Sequence, residues 1–289
     1  MGSLKVGVIG VGNWGCNHAR VYSELVETEL VAICDVNEQR ARSVAQRYGT
    51  RCYTSLDEFL SRSGVEAVSV VTPIRLLSEV AEKALESGKH VLVEKPMALK
   101  VEDAERLIEI ADRNGLHLQV GFIMRFHPVV QSAKAAISKK RLGDLLCVDS
   151  KRLSKRPDYM RDTGVTFDLA IHDIDVLRYL TRQEVRRVYA KAYFLNGVDE
   201  SVEAMLELEG ATAVVEANGL TPKKVRLLSV TGTEGYLSGD YEKMSLKLYK
   251  EDAEYDLVRL PAEEPLKLEL RNFARSCMGR EDPLSLIHI

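Results

Sequence analysis

The sequence predicts an α/β N-terminal domain with a doubly wound parallel sheet, followed by an α+β C-terminal domain built on an open, mostly antiparallel sheet. Three observations lead there. A β-branched run ends in G-x-G-x-x-G at residues 10–15, and strand and helix patterns then alternate to about residue 120. Beyond that point seven strand-like segments follow one another in meander order. The 289 residues suffice for two cores, since one domain takes about 100–200 residues. The expected division is residues 1–122 and residues 123–289.

The first strand is predicted at 5–9, and Gly10-Val11-Gly12-Asn13-Trp14-Gly15 follows it directly, which is the Rossmann fingerprint in its proper place. Gly10 permits a tight turn, Gly12 lets a diphosphate approach the backbone, and Gly15 lets the next helix sit close to the strand. The helix N-terminus at Asn13 and Trp14 offers N–H groups and a positive dipole to an anion. A second strand at 30–34 ends at Asp35, twenty residues past Gly15. A carboxylate there accepts hydrogen bonds from the adenosine ribose hydroxyls and repels a 2′-phosphate. Val36 and Asn37 follow rather than an arginine, so the expected cofactor is NAD rather than NADP. The bland alternative is a structural strand-to-helix turn.

Helical spacing resumes at 38–48 with Gly49 as a stop, then comes a short strand at 52–53 and a helix capped by Ser55. An apolar strand at 65–71 ends at Thr72-Pro73. A helix at 76–87 and a strand at 90–93 lead to Glu94-Lys95-Pro96, and an amphipathic helix at 101–114 precedes the last strand at 118–122. Ligands of open parallel sheets bind beyond the carboxyl ends of the strands. That places Thr72, Pro73, Glu94 and Lys95 at the cofactor site. Lys95 there is a cation suited to orient a substrate hydroxyl and to stabilise an alkoxide as hydride leaves; the plain alternative is a solvated surface lysine.

In the second domain, helices are predicted at 129–139 and 171–180, a strand at 145–152, and strands at 185–193, 201–209, 211–217, 225–231, 236–238, 244–249 and 253–259. Asp168 and His172 lie four residues apart, one face of a helix. Imidazole titrates near neutral pH, so His172 is a candidate base for the alcohol proton, with Asp168 holding the ring or the substrate. Their plain alternative is a helix cap and a hydrogen-bonded core histidine. His18 is read as an exposed helix-face residue. His90, His117 and His127 share no spacing that suggests metal ligands, and no metal is expected.

Residues 151–161 form the most basic stretch of a chain whose net charge is −3. Arg152, Arg156 and Arg161, with Arg125 just past a strand end, are candidates to grip the diphosphate of a nucleotide sugar, because arginine forks suit phosphate. A solvated charged face is the alternative. The overall charge gives no attraction to nucleic acid or to an anionic membrane. No apolar run approaches the ~20 residues of a membrane span, and the N-terminus runs straight into a strand with no room for a signal peptide. Five scattered cysteines, without a C-x-x-C pair, suggest neither a disulfide framework nor a zinc site. A cytoplasmic protein with a small-molecule partner is expected.

With these residues in place, the chain resembles the glucose-fructose oxidoreductase/inositol dehydrogenase (Gfo/Idh/MocA) family. The resemblance runs from the glycine turn through 88–96, ending in Glu94-Lys95-Pro96, and through 121–128 to Asp168–Asp175. It implies an N-terminal NAD(P)-binding domain, a C-terminal open sheet and assembly through that sheet as a homodimer or homotetramer. It also implies catalytic roles for Lys95, Asp168 and His172. Segments 165–175 and 218–226 resemble a branch that includes UDP-N-acetylglucosamine 3-dehydrogenases. The resemblance thus implies oxidation of a sugar hydroxyl to a ketone, at C3 of a UDP-activated amino sugar. Dehydrogenation of a free sugar or inositol is the alternative, and a catalytically silent NAD-binding sensor is the alternative of another class. Two departures stand out. Leu77 occupies a position where many relatives carry histidine, and residues 280–289 end the chain where relatives usually continue into a final helix, so a truncated tail is expected.

Overall fold

The computed structural model describes residues 2–157, 163–258 and 263–284. The chain forms two units, Met1–Ile123 with Glu263–Ile289, and Met124–Ala262.

The first unit alternates β1 (Leu4–Ile9), α1 (Asn13–Glu24), β2 (Thr28–Cys34), α2 (Glu38–Tyr48), β3 (Arg51–Tyr53), α3 (Leu56–Arg62), β4 (Ala67–Val70), α4 (Leu77–Glu86), β5 (His90–Glu94), α5 (Val101–Asn114) and β6 (Leu118–Gly121). Local chemistry sets several boundaries. Asn37 caps α2 by accepting the Arg40 N–H at 2.9 Å, and Gly49 ends that helix in the left-handed region. All strands pair in parallel, in the order β3-β2-β1-β4-β5-β6. The winding reverses between β1 and β4, and in such sheets that reversal opens a crevice for a dinucleotide. One sheet face buries Phe59, Ala81, Leu85, Leu107 and Ile110 from α3, α4 and α5.

The second unit contains α6 (Pro128–Ser138), β7 (Leu145–Leu153), α7 (Ile171–Thr181), β8 (Arg187–Leu195), β9 (Val198–Glu207), β10 (Thr212–Asn218), β11 (Val225–Gly232), β12 (Gly235–Asp240), β13 (Ser245–Lys250) and β14 (Ala253–Asp256). Its sheet runs β14-β13-β12-β11-β7-β10-β9-β8. Every neighbouring pair is antiparallel except β7 with β10. Period-2 alternation points Val148, Ala213, Val215, Leu228, Val230, Leu237 and Leu248 at the buried side chains of α6 and α7. The opposite face is open and carries exposed Tyr189, Tyr193, Met205, Leu227, Tyr236 and Tyr249.

The division differs from the expected one at the C-terminal end. A last helix, α8 (Pro265–Cys277), belongs with the first unit, so residues 263–289 do not continue the second. The cause is a helical stripe of Leu266, Leu270, Phe273 and Ala274, which packs with Val6, Val8, Tyr22 and Leu92 on the other face of the parallel sheet. Glu27 of the first unit accepts from Arg275 Nη2 at 2.7 Å and reinforces the docking. No described helix is long and apolar enough to cross a membrane.

Candidate active site

The glycine turn after β1 has the geometry of an anion cradle. Gly10 adopts φ +87°, and a Cβ there would lie 2.6 Å from the Val71 carbonyl oxygen, so only glycine fits. A Cβ on Gly15 would collide with the Gly10 carbonyl, which keeps α1 close to β1, whereas the space above Gly12 is open. α1 begins at Asn13 without a side-chain cap, leaving its N-terminal N–H groups to an incoming anion. Asn13 and Trp14 are exposed at this end. Thr72, at the end of β4, holds a buried hydroxyl that has no hydrogen-bond partner among the described residues. Pro73 beside it is exposed. Leu77 is buried in the apolar core at 2% exposure.

Asp35, at the end of β2, is nearly buried. Its Oδ2 accepts the Val11 N–H at 2.9 Å and its Oδ1 the Asn37 N–H at 2.9 Å, which fixes the carboxylate beside the glycine turn. Arg40 Nη1 stands 3.4 Å from Asp35 Oδ2. This arginine lies beyond the two residues, Val36 and Asn37, on which the sequence expectation rests. The first turn of α2 brings position 40 back to the acid.

Glu94 and Lys95 close β5. Glu94 Oε1 accepts the Trp14 indole N–H at 2.8 Å and lies 3.2 Å from His18 Nε2, and its Oε2 accepts the Lys95 backbone N–H at 3.2 Å. Burial opposes charge on Glu94. The bond from His18, the His18 charge, the Trp14 N–H and the Lys95 ammonium outweigh it and hold the carboxyl below its usual range. His18 corrects an expectation: it is fully buried, not exposed, because it lies on the core-facing side of α1 with Gly15, Ala19 and Tyr22. The signal in the sequence was the Trp14/His18 spacing of one helical turn. Lys95 itself is half-buried, in cis linkage to Pro96.

In the second unit, Asp168 sits in a π turn, Thr166–Ala170, and His172 in the first turn of α7. The expected single α-helical face is therefore modified, since a π turn is wider than an α turn, a geometry frequent at functional sites. Asp199 Oδ2 holds this turn by accepting the Thr166 N–H at 2.8 Å and its hydroxyl at 2.6 Å. His172 is half-buried.

The arginines are placed otherwise than expected. Arg125 donates from Nε and Nη2 to Asp175 at 2.9 and 2.6 Å, both residues buried. Arg152 donates from Nε and Nη2 to Asp173 at 2.7 and 2.9 Å, also buried. Arg156 lies between Glu200, 3.0 Å from its Nη2, and Asp168, 3.5 Å from its Nη1. Arg161 lies outside the described residues. Three of the four guanidiniums thus face acids of the same unit, and Arg152 and Arg156 of the basic stretch serve as buried ion-pair partners that hold the π turn and α7. Among the described residues, no three histidines, cysteines or acids are arranged to hold a metal.

Residues 4–122 match the model of the oxidoreductase family with an NAD-binding Rossmann fold (GFO_IDH_MocA), and residues 130–238 match the GFO/IDH/MocA C-terminal domain. The chain belongs to the GFO/IDH/MocA oxidoreductase family. It is 33% identical over 253 residues to UDP-N-acetylglucosamine 3-dehydrogenase of Acidithiobacillus ferrooxidans, which covers 86% of this chain and 78% of that relative. It is 32% identical over 217 residues to myo-inositol 2-dehydrogenase of Thermotoga maritima, covering 73% of this chain and 64% of that one. The solved structure of the Acidithiobacillus enzyme superposes with a TM-score of 0.90 at 30% identity, over 99% of this chain and 92% of that one. The open Gly12, the uncapped start of α1 and the unpartnered Thr72 hydroxyl fit the dinucleotide of this GFO/IDH/MocA fold.

Proposed function

We propose that this chain is an NAD-dependent dehydrogenase that oxidises a sugar hydroxyl to a ketone, with the C3 hydroxyl of UDP-N-acetylglucosamine as the reacting group. The observation that carries the reaction type is Lys95 at the carboxyl end of β5, next to a glycine turn built for a dinucleotide, in a chain that also keeps Asp168 and His172. The similarity to the Acidithiobacillus enzyme over most of the chain supports the choice of sugar.

Bound NAD supplies the hydride acceptor. The Lys95 ammonium orients the substrate hydroxyl and stabilises negative charge on its oxygen. His172 takes the hydroxyl proton, and Asp168, held by Arg156 and by the π turn, orients the base or the substrate. The fixed carboxylate of Asp35 favours NAD over NADP, because it repels a 2′-phosphate. The exposed tyrosines and apolar residues of the open sheet face support a homodimer or homotetramer assembled there. The five free cysteines suit a reducing cytoplasm.

One observation favours a second substrate class. With Arg125, Arg152 and Arg156 facing internal acids, an uncharged sugar or inositol needs nothing that these residues withhold. NADH formation with UDP-N-acetylglucosamine, free sugars and inositol, in the wild type and Lys95→Ala, separates the readings. Turnover on the UDP-sugar that collapses in Lys95→Ala is expected. Turnover only on an uncharged polyol would replace the substrate and keep the chemistry, and tight NAD binding without any turnover would leave a sensor.

A further inference from the structure

The carboxylate of Glu94 lies between two parts of the first unit that the chemistry uses separately. Trp14 and His18, one turn apart on α1, approach its Oε1, and the backbone N–H of Lys95 donates to its Oε2. In the sheet, β4 separates β1, whose glycine turn starts α1, from β5, which ends at Glu94. The cluster therefore spans a strand. On its far side it is walled by Gly121 of β6, where a Cβ would lie 2.8 Å from Glu94 Oε1. Any residue but glycine there would displace the carboxylate. His18 is 0% exposed, and its Nδ1 has no hydrogen-bond partner among the described residues. A buried polar atom left so is costly, and a buried ion pair is weak grounds for stability alone, so the cluster calls for a role beyond packing.

We infer that Trp14, His18 and Glu94 form a positioning device that ties the dinucleotide-binding turn to Lys95, with Glu94 and His18 acting through Lys95 rather than as contacts to the cofactor. The carboxylate of Glu94, a residue that the sequence places at the cofactor site, has protein partners on both oxygens. The ionised state of that carboxylate, favoured by His18 and Lys95, strengthens each bond it accepts. The link matters because misplacing a catalytic group by about 1 Å costs on the order of a hundredfold in rate. The inference rests on the dehydrogenase reading above for its kinetic consequence, and on geometry alone for the link itself.

Trp14 is the one tryptophan of the chain, so its indole N–H resonance needs no assignment and its fluorescence quenching reads NAD binding. The variants are Glu94→Gln and His18→Gln. In both, kcat should fall by about thirty- to a hundredfold with the Kd for NAD held within about threefold. In Glu94→Gln the indole resonance should also move upfield as a charge-assisted bond is lost. Unchanged kcat in both variants would overturn the inference. So would a loss of NAD affinity large enough to account for the whole rate loss, which would return Glu94 to the cofactor. The NMR signal of isotopically methylated Lys95, identified by its absence in Lys95→Arg, reads the link without turnover. It should move in His18→Gln, and an unmoved signal overturns the link. If the wild type oxidises no sugar, the dehydrogenase reading fails by itself and this signal still decides.

Discussion

Arg152 and Asp173 form a two-pronged ion pair between β7 and α7, with Nε to Oδ2 at 2.7 Å and Nη2 to Oδ1 at 2.9 Å, neither side chain reaching solvent appreciably. The Asp173 charge and its bonds raise the guanidinium pKa above its ordinary value although burial opposes it. Such a pair immobilises the helix turn that carries His172. Removing one partner strands the other, so Arg152→Met should lower unfolding free energy by about 3–5 kcal/mol, while Arg152→Met with Asp173→Leu should recover most of the loss. Urea unfolding checks this. The KM for a UDP-sugar relative to that for an uncharged sugar should be the same in the double variant and the wild type. A selective rise for the UDP-sugar would restore Arg152 as a phosphate contact.

That pair also marks where the sequence stops being legible. The strand and helix periods over residues 4–121, the glycine turn and the acid at Asp35 depend on neighbours in the chain, and each stands where the sequence places it. The partner of an arginine does not. Asp175 is 50 residues from Arg125, and Glu94 is 76 residues from His18. Local charge density therefore pointed Arg125, Arg152 and Arg156 at a ligand where each has an acid partner, and helix position alone left the burial of His18 unread. For α8 the signal was present in the spacing of Leu266, Leu270 and Phe273. What the spacing lacks is any indication of which unit the helix joins, since that is decided by the apolar face left open on the parallel sheet.

At the end of β2, where the proposed function sets the adenosine ribose, an acid is paired with a nearby arginine. Arg40 Nη1 lies 3.4 Å from Asp35 Oδ2, and the Arg40 side chain is about half exposed. With the acid in place, a 2′-phosphate meets a like charge, a juxtaposition that costs several kcal/mol. Asp35→Ser removes that charge and leaves Arg40 without its carboxylate, ready to fork onto a phosphate. The ratio of NADP to NAD affinity, read from Trp14 quenching, should rise on the order of a hundredfold, about 2.8 kcal/mol. Asp35→Ser with Arg40→Ala should give back most of that gain. If the single variant leaves the ratio unchanged, Asp35 does not set the preference.

His127 couples the second unit to acid. Its Nδ1 accepts the Val129 N–H at 3.3 Å as the cap of α6, and its ring stands edge-on to Tyr241 with centroids 5.1 Å apart. Burial, with the Arg152 charge nearby, pushes its pKa down to about 4 from 6.5. Between those values the unfolded chain takes up a proton that the folded chain refuses, so stability is full above pH 6.5 and is lost as pH falls toward 4. His127→Asn keeps a capping side chain and removes the titration. The variant should lose less stability than the wild type between pH 7 and pH 5, by on the order of 1–2 kcal/mol. Equal losses in urea unfolding at the two pH values would mean that His127 accepts its proton in the folded state as readily as in the unfolded.

Phe273 tests the return of the chain to the first unit. Its ring is 0% exposed and packs in the cluster that holds Val6, Val8, Tyr22 and Leu92, so α8 completes the core on that face of the sheet rather than lying on it. Truncating a buried phenylalanine costs about 3–5 kcal/mol, the transfer term plus the cavity left behind. Phe273→Ala should therefore destabilise the protein by that amount, while Lys267→Ala, on the half-exposed side of the same helix, should stay within about 0.5 kcal/mol. If both changes cost equally little, the helix is peripheral and the cluster is closed without it. A large cost confined to Phe273 is what an apolar stripe packed into one cluster with β1, α1 and β5 demands, because truncation leaves a cavity among side chains that are already buried.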